Sequence, residues 1–383
     1  MTTPVLDVPP GLNGVAVAAT ALGDVRGEEG FFHYRQYDAT TLARTRSFED
    51  VWHLFVEGRL PDGSEEAAAF RAAAAPHRVV PAELRPLVEA VAASSATPLA
   101  RLKTVLSASA AALGLRPLVD LDSAGRKEQA LAVAALTPAV LAALHRAAAG
   151  LPAIEPDPSL GHVAAYLYEA TGARPDAAAV RALEQYLILT IDHGFNASTF
   201  TARVVASTGA DLADVVSAAA GALAGPLHGG APSRALDALD AIGSADRAAD
   251  FVRSEIAAGR RIMGFGHPVY RTLDPRSTLL REIAVGLGGD LVDRAVEVEA
   301  AILATLAELK PDRPLPSNVE YYAGVVMATL GLPRAMFTPT FAVSRTVGWC
   351  AHAVEQAGAG KVIRPGSRYV GPAIERAGAP ERG

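Results

Sequence analysis

The stretch "DAAAVRALEQYLILTIDHG" sets apolar residues at Val180, Leu183, Leu187 and Ile191, at spacings of 3, 4 and 4. That period places all four on one face of an α-helix. Asp176 stands where an N-terminal cap belongs, and Gly194 where a stop belongs. The pattern recurs in "DRAVEVEAAILATLAELK" with Val298, Ile302, Leu306 and Leu309, and in "LARLKTVLSASAAALG" with Leu99, Leu102, Leu106 and Leu113. Alanine is abundant, which favours helix. No segment shows the alternation, or the Asn-Gly and Asp-Gly turns, that a set of strands needs. The expected fold class is all-α.

A chain of 383 residues has room for two or more packed units. Gly and Pro cluster at 225–232, 264–275 and 311–318, and these clusters frame a helical block from about 232 to 330. The Ala-rich patch "EEAAAFRAAAAPHR" reads as a surface helix that ends before Pro76. With half the residues apolar and a net charge of −6, the composition is globular, and non-specific binding to nucleic acid or to an anionic membrane is disfavoured. A small anionic ligand is compatible, since it needs a few local arginines and not a basic surface. The single cysteine, Cys350, excludes an internal disulfide and a Cys-based zinc cluster. The apolar run 131–144 is too short to span a bilayer and contains Pro138. No leader of signal type heads the sequence, so the expected location is the cytoplasm. Asn196-Ala197-Ser198 then matches a glycosylation acceptor only by accident.

Four polar clusters place a His, an Arg or a carboxylate at a helix end or in a Gly-rich turn, where side chains face a cleft. In "DHGFNAST", His193 ends its helix, a position that also suits a histidine interacting with the helix dipole. In "GPLHGGAPSRAL", glycines bracket His228 and leave room for a ligand against the backbone, as they would in a tight turn between helices. In "MGFGHPVYRTLDPRS", Gly264 and Gly266 precede His267, and Asp274-Pro275 opens a helix whose second residue is Arg276. The Gly-x-Gly here lacks the third glycine and the strand of a dinucleotide fingerprint. In the fourth, "FAVSRTVGWCAHAVEQAGAGKVIRPGSRYVGP", Arg345 lies inside an apolar helical run and needs an anion, from protein or ligand. Arg364 and Arg368 flank a turn and serve equally as solvated charges. No His pair has zinc spacing, so no metal is expected.

Glu320, in "SNVEYYAGVV", follows a capping Asn318 and suits a helix start whatever its function. Taken with the histidines and arginines, it points to carbon-acid chemistry on an anionic carbonyl compound. Arginines hold carboxylates in bidentate fashion, histidines donate to oxygens that become negative, and a carboxylate removes a proton.

The motifs "GPLHGGAPSRAL", "MGFGHPVYRTLDPR", "NVEYYAGVV" and "RPGSRYVGP", in this order and spacing, resemble the citrate synthase family. The stretch from "GLNGVAVAAT" to "LFVEGRLP" resembles the family's opening, so the likeness spans essentially the whole chain. It implies an all-α homodimer with a large domain (1–231 and 331–383) and a smaller mobile domain (232–330). It also implies condensation of acetyl-CoA with oxaloacetate to citrate and free CoA, with the thioester as substrate and no further cofactor. Carried over by position, His228, His267 and Glu320 are catalytic, and His193, Arg276, Arg345 and Arg364 bind oxaloacetate. Arg364 reaches the partner subunit's site. Arg271 and Arg313 lie near the CoA phosphates, and Gly264 and Gly266 belong to the turn that holds the adenine.

Two positions depart from the family pattern. Glu320 stands where the family usually has Asp, and Pro268 follows His267 where a basic or small residue is common. The longer side chain displaces the carboxylate by roughly 1 Å, a shift that costs on the order of 10²-fold in rate unless the backbone compensates. The alternatives are a 2-methylcitrate synthase using propionyl-CoA, a non-catalytic protein binding CoA or a dicarboxylate, and a fragment of a citryl-CoA-cleaving lyase.

Overall fold

The structure is a computed structural model, and it describes residues 7–226, 228, 231–267, 270 and 273–372. The chain opens with strands β1 (Gly23–Arg26), β2 (Phe31–Tyr34) and β3 (Tyr37–Asp38), which form one antiparallel sheet in sequential order. Val25 faces Phe32, and Gly23 faces Tyr34. This sheet corrects the expectation of no strands. The signal is hidden because β2 is apolar on both faces ("FFHY") and the first turn is "GEEG", not Asn-Gly. Phe32 and Tyr34 point into the core, while Phe31 and His33 face the other way.

Everything else of regular structure is helical. Asp38 caps α1 (Ala39–Thr45), and Ser47 forms a reciprocal capping box with Asp50 at the start of α2 (Phe48–Glu57). Helix α3 (Gly63–Ala74) buries only Ala74, as expected of the Ala-rich surface helix. Then come α4 (Arg85–Ala92), α5 (Pro98–Ala112) and α6 (Ser123–Ala148). Helix α6 continues through Pro138 for 26 residues and is apolar enough to cross a membrane by length and composition. Yet 78% of its most apolar window is buried inside the protein, so neighbouring helices take the place that lipid would have. After α7 (His162–Thr171), Asp176 caps α8 (Ala177–Thr190) through a 2.7 Å bond from Ala179 N. Leu183, Leu187 and Ile191 are fully buried, as the spacing predicts.

Helix α9 (Ala197–Ala206), capped by Asn196, packs on α10 (Leu212–Leu223), and both pack on α16 (Phe337–Ala359). Helix α16 also lies along α6, with Trp349 fully buried between its neighbours. A Cβ on Gly348 would stand 2.1 Å from Ile191 O, so only glycine lets α16 lie this close to the end of α8. That approach brings Arg345 alongside the residues that follow α8.

The remaining helices are α11 (Ala231–Ile242), α12 (Ala245–Ala257), α13 (Pro275–Leu287), α14 (Asp290–Leu309) and α15 (Val319–Thr329). They pack chiefly on one another, through Leu239, Val252, Leu280, Val298, Ile302 and Val325. Their contacts with the rest of the chain run through α8, α16 and α1. At that junction His193 from one side meets His267 and Tyr270 from the other.

Candidate active site

His193 leaves the end of α8, and its Nε2 is 3.0 Å from the hydroxyl of Tyr270. Its ring lies 5.8 Å from that of His267 and 5.7 Å from Phe32 on the small sheet. Burial drives His193 well below the ordinary histidine range, with help from the positive Arg276 and Arg345. His267 accepts at Nδ1 from Tyr270 N, 3.0 Å away, which assigns its proton to Nε2. Arg276 Nη2 lies 3.2 Å from that nitrogen, but both carry protons in this tautomer, so the two are neighbours and not a hydrogen-bonded pair, and the Nε2–H is left to a ligand oxygen. Burial, then Arg276, lowers His267 to about 4, so it is a neutral donor at physiological pH.

His228 stands in the turn after α10 and is fixed from α9. Ser198 N points at its Nε2 from 3.3 Å, and Ser198 Oγ lies 2.8 Å away. A backbone N–H cannot rotate off its target, so the lone pair sits on Nε2 and the proton on Nδ1. Ser198 is held in turn by Asn196 Oδ1 and by Trp349 Nε1. Burial and Arg345 lower His228 to about 4. Ser198 is fully buried, which agrees with an accidental glycosylation match.

Asp274 organises the cationic side. It caps α13 through Arg276 N at 3.0 Å and accepts from Arg276 Nε and Nη2 at 3.0 and 2.9 Å. Its Oδ2 also accepts from Val319 N at 3.2 Å, so one carboxylate closes the N-termini of α13 and α15 together. Burial alone would lower Arg276, but Asp274 outweighs it and leaves Arg276 raised. Arg345 differs. It is 2% exposed, donates through Nε to Thr190 O at 2.8 Å, and lies over the ring of Phe341. No carboxylate pairs with it among the described residues, and burial lowers it to about 10 despite the field of Asp192. Such a guanidinium is set for an anion that the fold does not supply.

Glu320 is the second residue of α15, with Asn318 Oδ1 accepting from its backbone N at 3.0 Å. A two-rung ladder fixes that turn against the loop before His267. Gly266 N donates to Pro316 O and Asn318 N to Gly264 O, both at 2.8 Å, and Asn318 Nδ2 adds a bond to Gly266 O. Gly264 and Gly266 have φ of +85° and +78°, and a Cβ would crowd Tyr321 at the first and Leu315 at the second. Burial pushes Glu320 up to about 7, Arg276 opposes the rise and Asp274 adds to it. Its carboxylate has no hydrogen-bond partner among the described residues. A half-protonated carboxylate in the field of Arg276, which also neighbours His267, can exchange a proton with a bound carbon acid.

His193, His228, His267, Arg276, Arg345 and Glu320 thus line one junction, as the sequence suggests. Arg313 is exposed in the turn after α14, and among the described residues no contact links it to the cluster. Arg364 is exposed on the extended tail. Ile363 is tied to Ser207, at the far end of α9 from Ser198, about 14 Å of helix away. Arg271 and Pro268 lie outside the described residues. Sequence reasoning missed the supporting roles of Tyr270, Ser198 and Asp274. Of these only Asp274 carried a signal, as the residue before a helix-opening proline. No group of three His, Cys, Asp or Glu suited to a metal occurs among the described residues.

Neutral histidine donors, an unpaired buried arginine and a carboxylate near neutrality, on an all-α scaffold, define a class of enzyme acting on carbon acids beside an anionic carbonyl. The comparisons with known proteins agree. The family model for citrate synthase, C-terminal domain, matches residues 11–366. A citrate synthase of Haloferax volcanii is 37% identical over 94% of this chain and 95% of its own. A 2-methylcitrate synthase of Mycobacterium tuberculosis is 36% identical over 97% of this chain and 93% of its own. Citrate synthase of Thermoplasma acidophilum, solved as a ternary complex with carboxymethyl coenzyme A and oxaloacetate, superposes with a TM-score of 0.89. It is 27% identical over 97% of this chain and 98% of its own. The chain belongs to the citrate synthase family.

Proposed function

We propose that the chain condenses acetyl-CoA with oxaloacetate to give citrate and free CoA. The observation that carries this reading is Glu320 poised near 7 beside Arg276, on the same backbone ladder as His267. Glu320 takes a proton from the thioester methyl while His228 Nδ1–H donates to the carbonyl oxygen, which becomes an enol or enolate oxygen. A preorganised donor of this kind contributes about 2.7–4 kcal/mol. The carbon then attacks the oxaloacetate ketone, whose oxygen accepts from His267 Nε2–H as it becomes an alkoxide. Arg276, Arg345 and His193 hold the carboxylates. Hydrolysis of the resulting thioester breaks the carbon–sulfur bond and releases CoA.

The block 232–330 would close on the remainder, expelling water from the enol. In the active homodimer Arg364 would complete the oxaloacetate site of the partner subunit, which accords with its exposure on the tail. The turn at Gly264 and Gly266, with Arg271 and Arg313, would take the CoA adenine and phosphates, and the protein would work in the cytoplasm without a further cofactor. A second reading, 2-methylcitrate synthesis from propionyl-CoA, is favoured by the 36% identical relative of that name. One methylene shifts acyl choice by only about 1–3 kcal/mol. Thiol release should therefore be measured from acetyl-CoA and propionyl-CoA, with and without oxaloacetate. Oxaloacetate-dependent release identifies the preferred acyl group. No release from either overturns the catalytic reading in favour of a binding protein.

A further inference from the structure

Away from the histidine cluster, a cavity of about 330 Å³ opens beside the last turns of α6. Its apolar lining comes from Val80, Val88, Ala139, Ala142 and Ala143. Two charged side chains also line it, Arg146 from α6 and Glu169 from α7, at 7% and 8% exposure. Arg146 donates through Nε to Pro152 O at 2.6 Å, and no carboxylate pairs with its guanidinium among the described residues. Glu169 likewise has no hydrogen bond or ion pair among them. Burial raises Glu169 to about 7, opposed by the positive charge of Arg78, which also lines the cavity.

A buried cation and a buried carboxylate that share one cavity without closing on each other are both costly. A ligand carrying both complementary charges relieves both. The rest of the charged lining is balanced, Arg78 and Arg85 against Glu89 and Glu155, which opposes a polyanion such as a nucleotide. The apolar lining asks for an aliphatic or aromatic body, and the volume is at the small end of ligand sites.

We propose that this cavity binds a zwitterionic α-amino acid with an apolar side chain, its carboxylate on Arg146 and its ammonium on Glu169. The reading is independent of the acyl transfer above, and its test reads binding, not turnover. L-leucine and L-phenylalanine are titrated calorimetrically into the full chain, beside the half-molecules 4-methylpentanoate and 3-methylbutylamine. One of the amino acids is expected to bind with a Kd of about 1 mM or tighter, and each half-molecule at least about tenfold more weakly. Glu169→Gln and Arg146→Met should each weaken binding by at least about tenfold. Ala143→Leu keeps both charges and fills the apolar lining, and should abolish binding with an unchanged far-UV circular dichroism spectrum. No saturable binding of either amino acid overturns the proposal. So does affinity that survives both Glu169→Gln and Ala143→Leu, or 4-methylpentanoate or inorganic phosphate binding as tightly as the amino acid.

Discussion

Glu320 shows how one residue answers to two demands. As the second residue of α15 it suits the helix dipole, while burial, opposed by Arg276 and helped by Asp274, pushes its carboxyl up to about 7. If it is the base, kcat/KM for acetyl-CoA should rise with pH through about 7 and level off above, since only the ionised form accepts a proton. Glu320→Gln should lose at least about 10²-fold in turnover, and a variant that kept nearly full turnover would remove Glu320 from this role. The same shift has an opposite consequence for stability. The folded carboxyl is raised from 4.5 to about 7, so the native state holds the proton longer and stability falls as pH climbs between those values. Above pH 7 the Gln variant should therefore be more stable than its parent, by on the order of 3 kcal/mol, measurable by urea unfolding. The acid was legible in the sequence as a helix-start charge, but its elevated pKa was not. That depends first on burial, which only packing supplies, and then on the opposed charges of Arg276 and Asp274, some 45 residues away in the chain. Ser198 is a like case, since its partner His228 lies 30 residues on, past an entire helix.

At the scale of elements, the helices were legible because one apolar period and one capping residue define each of them locally. Asp176 and Asn318 cap where the sequence puts them, and Pro275 opens α13. The sheet was not legible, because four-residue strands offer too few alternations and β2 is apolar on both faces. Nor was the closest helix contact, which depends on a glycine inside a helix, where the sequence alone reads only weakened helicity. Gly348→Ala tests that contact. Its Cβ would meet Ile191 O at 2.1 Å, so α16 must shift from the end of α8. We expect a loss of about 1–3 kcal/mol in urea unfolding. A raised KM for oxaloacetate should accompany it, because Arg345 lies one turn before Gly348 and holds Thr190 O. An unchanged unfolding midpoint would mean that the two helices do not approach so closely.

At the scale of the whole molecule, the tail after α16 is an extended, mostly exposed segment held to its own chain at separate points. Ile363 holds to Ser207 and Arg368 to Asp7, while Arg364 between them is exposed. Arg364→Ala should raise the KM for oxaloacetate at least about tenfold while sedimentation still reports a dimer, and unchanged kinetics would refute the proposed cross-subunit role. The helical composition and the order of the motifs made the overall architecture readable. The proposed service of the tail to a second copy comes from the resemblance alone.

Helix α6 has a consequence for the life of the chain before it folds. Its 26 residues are apolar enough to pass for a membrane span, and a main helix covering it, α16, is the last of the helices among the described residues. A nascent chain halted before residue 337 therefore displays a segment that a membrane-insertion apparatus or a chaperone would read by hydrophobicity alone. The cover that keeps α6 in the interior is complete only once α16 has emerged.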